Sequence, residues 1–176
     1  MHRSEEFLYV TTSLEEVLWG LLLIGITMWI HGIGMQLTMA TNSVIRARME
    51  RRGRSSAGFG VVVLASLMIV SVHLIEVIVW AAFLVLSGAM TNVHSAVYFA
   101  LMQYTTVGST LFLPMHWRLL EGMIAISGMM TFAWSTGILF ALAQKALKQH
   151  RKELTAVLDR RINRGEDDKP PDRGED

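Results

Sequence analysis

Apolar residues in this chain fall in long unbroken runs, not at the alternating spacing of a half-buried strand or the one-sided spacing of a surface helix. From Val17 to Asn42 there is no Asp, Glu, Lys or Arg. From Ser55 to Gln144 there are three, Glu76, Arg118 and Glu121. A helix crossing the hydrocarbon core needs about 20 apolar residues. Three segments meet that length: residues 17–40, about 59–86 and about 117–146. Ser13 followed by Glu16 reads as a capping box that starts the first. The two later segments exceed the minimum, so tilt or extension into the headgroups is expected.

Composition sharpens this. Charged residues make up 18% of the 176, against roughly 25% in soluble domains. A soluble domain must cover its core with charge along its whole length, and this chain does not. The pattern predicts an all-α, multi-pass membrane protein. Net charge is +1, so nothing points to nucleic acid as a partner. No cysteine is present, which excludes disulfides and thiolate zinc sites. The first apolar run does not read as a signal peptide: it is too long, and it follows Glu15 and Glu16 where a basic region is needed.

Basic residues cluster twice. Arg46, Arg48, Arg51, Arg52 and Arg54 stand between the first two spans, and Lys145, Lys148, Arg151 and Lys152 follow the third. The positive-inside rule then places the N-terminus outside and both clusters in the cytoplasm, in a plasma (inner) membrane. Anionic lipid is a partner open to the five arginines, although topology alone accounts for them.

Residues 87–116 then lie on the outer side. Within them Val93–Tyr104 is too apolar for an ordinary loop. Twelve residues of helix reach only ~18 Å, short of a span. The segment reads as re-entrant: a half-helix that enters the membrane and returns as irregular chain. Irregular backbone at that depth survives only inside protein or along a watery cavity.

That segment ends in Gln103-Tyr104-Thr105-Thr106-Val107-Gly108-Ser109-Thr110. Here the chain resembles the pore domain of potassium channels, whose filter reads Thr-Thr-Val-Gly-Tyr-Gly. The resemblance covers roughly residues 67–145. It takes in an outer helix with His73-Leu74-Ile75-Glu76 and Trp80-Ala81, the short helix and motif, and Pro114. It continues through Trp117-Arg118 opening an inner helix, and Ser127-Gly128-Met129-Met130-Thr131-Phe132 within it. It implies a homotetramer around one axis. Rings of oxygens from Thr105, Thr106, Val107 and Gly108 would replace the water of a permeant potassium or sodium ion. It also implies bending of the inner helix near Gly128; Gly122 and Gly137 are further candidate bending points simply as glycines of that helix. The outer half departs from the pattern, because Ser109 and Thr110 replace Tyr and Gly and Leu111 replaces an acidic residue. A β-branched residue at positive φ is an outlier, so Thr110 is not expected to hold the outer-filter geometry. The expectation is a wider, hydrated mouth and weak discrimination between potassium and sodium. A potassium-selective channel and a non-conducting subunit with the pore fold are the alternatives.

His73 and Glu76 stand at i and i+3 in the second span. Ionisable groups there face protein. They read as a pH sensor or, preferably, as a packing pair whose hydrogen bond locks the outer helix to the pore helix. His31 lies in the first span, in His31-Gly32-Ile33-Gly34, whose two glycines favour close helix packing. Zinc accepts two histidines and a carboxylate, but this is not the His-Glu-x-x-His pattern, and a metalloenzyme is the minor reading. Glu121 is expected to pair with Arg118. The first span has no arginine ladder and is expected to wrap the pore domain from outside.

The parts are therefore residues 1–16, an outer tail; 17–40, the first span; 41–58, a cytoplasmic basic loop; and 59–146, the pore domain. Residues 147–164 read as a helical extension, either a bundle seam or a solvated continuation of the third span. Residues 165–176 read as a disordered acidic tail. No enzyme activity and no resident cofactor is expected.

Overall fold

The first helix, α1, runs from His2 to Arg51 without a break. Neither glycine nor proline stands between Gly34 and Gly53 to stop it. The computed structural model describes residues 2–51 and 58–167. After α1 come α2 (Gly58–Leu86), the short α3 (Val93–Tyr104), a 3-10 turn at Met115–Trp117, and α4 (Leu119–Asp167). Three of these are long and apolar enough to cross a membrane, over Leu14–Met49, Gly60–Leu86 and Met115–Ala156. Among the described residues the chain is all-helical, and its three long apolar helices mark it as a multi-pass membrane protein.

Helix boundaries differ from the expected parts in three places. The capping box is not a helix start, because α1 already includes Ser13. Thr41–Arg51 is helical, so Arg46, Arg48 and Arg51 ride on α1 and not on a loop; residues 52–57 lie outside the described residues. Helix α4 continues through 165–167, and the rest of the expected acidic tail lies outside the described residues.

Short α3 is wrapped by the long helices. Its Ala96, Phe99, Ala100 and Tyr104 share one face and are buried. They meet Trp80 and Leu84 of α2 and Leu120 and Ile124 of α4 in one core. Gly88, at φ +72°, turns the chain out of α2, and Asn92 caps α3 by accepting the Ser95 N–H at 3.1 Å. The left-handed turn is what a glycine permits cheaply.

Helix α1 is built in reverse of a soluble helix. Glu16, Thr27, His31, Thr38 and Asn42 are buried, while Leu18, Trp29 and Leu37 are exposed. Spacings of 11, 4, 7 and 4 keep the polar set on one face. That face packs on α2 and α4, and Gly34 lets Val72 approach so closely that a Cβ there would lie 2.4 Å from its methyl. The first helix thus packs its polar face tightly on α2 and α4 and leaves an apolar face exposed.

Candidate functional site

Four helices bring their buried polar groups to one place. The imidazole Nδ1 of His31 lies 2.8 Å from Glu76 Oε1. The other carboxylate oxygen, Oε2, accepts the Tyr104 hydroxyl. That hydroxyl is 2.8 Å from His73 Nδ1. His73 Nε2 lies 3.1 Å from Ser135 Oγ, and Ser135 Oγ lies 3.1 Å from His31 Nε2. The contacts close a five-membered ring through α1, α2, α3, α2 again and α4. His31 and Glu76 are fully buried, and His73 and Ser135 nearly so. At this depth an unpaired polar group costs several kcal/mol, and the ring leaves none of its members unpaired.

A second tier supports the ring. Thr131 Oγ1 is 2.6 Å from the Tyr104 hydroxyl. One turn earlier, Ser127 Oγ meets Thr27 Oγ1 at 3.0 Å and accepts from Trp80 Nε1 at 3.4 Å. Phe132 stacks on the His73 ring with centroids 4.4 Å apart.

The expected His73–Glu76 hydrogen bond is not the one formed. His73 Nδ1 stands 3.8 Å from Glu76 Oε2, and both side chains bond Tyr104 instead. One turn of helix sets them on the same face but aims them at a third group. The lock between α2 and α3 therefore exists and passes through Tyr104. Sequence reasoning singled out His31, His73 and Glu76 and missed Tyr104, Ser135, Thr131, Ser127 and Thr27. A usable signal was present: Ser127, Thr131 and Ser135 recur every fourth residue in an apolar helix, and Thr27 precedes His31 by four. Polar groups so spaced in a span face protein together.

Tyr104 is also the last residue of α3, immediately before the Thr105–Thr110 motif. It is held at both ends. Its hydroxyl sits in the ring, and its carbonyl presses on Gly128 of α4, where a Cβ would lie 1.9 Å from the oxygen. Gly128 is required by this close approach, whatever bending it permits. No atom lies within 4 Å of a Cβ built at Gly137.

Beyond Tyr104 the chain is irregular. Thr105 Oγ1 turns back to Leu101 O at 2.8 Å. The N–H groups of Thr106, Val107 and Gly108 donate to Gln103 O and Met102 O of α3, at 2.9, 3.0 and 3.1 Å. Among the described residues no hydrogen bond ends on the carbonyls of Thr105–Gly108. Thr106 takes φ +61° and Gly108 φ +81°. For a β-branched residue the first is strained, at of order 1–3 kcal/mol. Thr110 does not adopt positive φ. Thr106, Val107 and Gly108 are exposed in the single chain. Ser109 Oγ accepts the Leu111 N–H at 3.0 Å.

Two acidic residues near the start of α4 accept backbone N–H groups. Glu16 of α1 accepts the Leu119 N–H of α4 at 2.9 Å, and a carboxylate suits a helix N-terminus. Glu121 accepts the Leu113 N–H at 3.0 Å and does not pair with Arg118, whose guanidinium lies over the Phe112 ring. An unsatisfied backbone donor competes better for a half-buried carboxylate than a solvated arginine does. Far along both long helices, Arg46 Nη1 donates to Gln149 Oε1 at 2.7 Å, so the basic ends of α1 and α4 adjoin. Compared with protein-family models, with curated proteins and with solved structures, the chain matches none.

Proposed function

We propose that the chain is a passive cation channel. A re-entrant α3 and the Thr105–Gly108 turn form one quarter of a pore closed by four copies. The observation that carries this is the one-sided bonding of the turn. Its N–H groups are spent on α3, which leaves successive carbonyls free to replace the water of a monovalent ion. Such an arrangement is unfavourable in lipid and is tolerated beside a watery cavity. Exposure of Val107 at 70% also fits a surface completed by neighbours. The C-terminal end of α3 adds the negative end of its dipole.

Potassium and sodium are the permeant ions, poorly distinguished, because Ser109 and Thr110 leave the outer half without a second left-handed glycine. Adjoining basic ends on α1 and α4 agree with a cytoplasmic location for both, with the N-terminus outside and anionic lipid at Arg46, Arg48 and Arg51.

Reconstitution of the full chain with potassium on one side and sodium on the other tests the reading. Current reversing near zero supports it. Reversal near the potassium limit refutes the weak selectivity, and a silent bilayer from folded protein refutes conduction.

A further inference from the structure

With Glu76 ionised and both imidazoles neutral, His31, His73, Tyr104 and Ser135 each bring one proton, four in all, to five hydrogen bonds. One link must then face lone pair to lone pair, whichever tautomers are chosen. With His31 donating to Glu76, Tyr104 donating to Glu76 and His73 donating to Tyr104, the fault falls at Ser135. Its single hydroxyl proton meets two bare Nε2 atoms, each at 3.1 Å. Thr131 cannot repair this, because its proton lies on a branch from Tyr104 and not on a ring link.

A fifth proton closes the ring. It can rest on an imidazole beside the Glu76 carboxylate, or on Glu76 with both imidazoles neutral. In either form every link has one donor and the ring carries no net charge. Charge decides against a divalent metal held by the same groups: with two neutral imidazoles and one carboxylate it would leave a net positive charge among apolar helices, which is costly. The titratable groups here are His31 from α1, His73 and Glu76 from α2, and Tyr104 from α3; α4 brings hydroxyls and the faces of Phe132 and Trp134.

We infer that the His31–Glu76–Tyr104–His73–Ser135 ring is a binding site for one proton, whose loss opens the link at Ser135 and loosens the tie of α4 to His31 of α1 and His73 of α2. This stands apart from whether the chain conducts.

In water at pH 8 a free carboxylate is ionised and free imidazoles are neutral, so the unfolded chain holds none of the proton that the folded ring holds. Stability must fall as pH rises from about 7 to 9, by about tenfold in the folding equilibrium per unit while the ring keeps its proton. Glu76→Gln is the discriminating variant. Its amide donates to His31 Nδ1 while its oxygen accepts from Tyr104, so all five links close with both imidazoles neutral and no added proton.

The experiment is thermal unfolding of the full chain in micelles at pH 7, 8 and 9, wild type against Glu76→Gln, with metal analysis of both. Expected is a wild-type midpoint that falls with pH relative to a flat variant. Parallel curves would overturn the inference, and so would one bound zinc per wild-type chain whose removal abolishes the difference. Should the variant not fold, histidine 15N spectra and the carboxyl infrared band of folded wild type at pH 8 count the protons directly. One doubly protonated imidazole, or one protonated carboxyl, supports the site. Two neutral imidazoles beside a carboxylate refute it.

Discussion

Replacing Gly128 by alanine puts a methyl carbon 1.9 Å from the Tyr104 carbonyl oxygen and 2.9 Å from its carbonyl carbon. Ordinary contact begins near 3.4 Å, so α4 and the end of α3 must separate by about 1.5 Å. The obstacle is backbone and cannot rotate away. Nor can Tyr104 follow freely, since its hydroxyl bonds Glu76, His73 and Thr131. Overpacking of this kind costs about 1–3 kcal/mol, and each stretched hydrogen bond about 1 kcal/mol more. Removing a helical glycine returns about 1 kcal/mol. With all three stretched, the net expectation is a loss of about 3–5 kcal/mol, read as a lowered unfolding midpoint of the purified chain in micelles. Gly137→Ala is the internal control. A Cβ at Gly137 meets nothing within 4 Å, so that variant should be neutral or slightly stabilised. Equal midpoints for the two variants would refute the close-approach argument and leave helix flexibility as the role of Gly128.

Tyr104→Phe keeps the ring packing but strips Glu76 and His73 of a partner, and should cost about 2–4 kcal/mol in the same assay; a loss below 1 kcal/mol would mean that water or a rearranged histidine replaces the hydroxyl. Thr106→Gly should leave stability unchanged or up to about 1 kcal/mol higher, because φ +61° suits glycine, while current through reconstituted protein falls with loss of the threonine side chain. A drop in stability would argue that Thr106 is not strained. Glu16→Ala should cost about 1 kcal/mol by uncapping α4, with Glu16→Gln recovering most of it; equal losses would assign the effect to charge and not to the Leu119 N–H.

What the sequence made legible follows from the physics of each feature. The three spans were readable because lipid tolerates no charge over a helix length, and α3 because twelve apolar residues are too short to cross. Caps were misread, since Ser13-x-x-Glu16 looks like a helix start whether or not the preceding residues are helical. Glu16 found its helix end 103 residues away, a pairing that tertiary packing alone creates. The partners of His73 and Glu76 were hidden for the same reason. Helical spacing fixes the face on which a side chain stands, not which of three neighbouring helices supplies the group opposite. Thr106 was unreadable as a strained residue because propensity assigns positive φ to Gly108 and has no reason to assign it to a threonine.

The arrangement makes α1 indispensable. Without it, Glu76 Oε1 would lose His31, Ser127 would lose Thr27, and the Leu119 N–H would lose Glu16. The first of these leaves a carboxylate among apolar side chains with Tyr104 as its remaining close partner, and stranding one member of a buried pair costs about 3–5 kcal/mol. The polar face of α1 cannot turn to lipid to compensate, because Thr27, His31, Thr38 and Asn42 would then meet hydrocarbon together. A unit cut to residues 58–167, with α2, α3 and α4 alone, should therefore fail to fold even though it contains the whole Thr105–Thr110 motif. The same unit with Glu76→Gln should recover in part, since an amide strands no charge. Recovery of native stability by the wild-type fragment would mean that α1 is an accessory and that its buried polar face has another occupant.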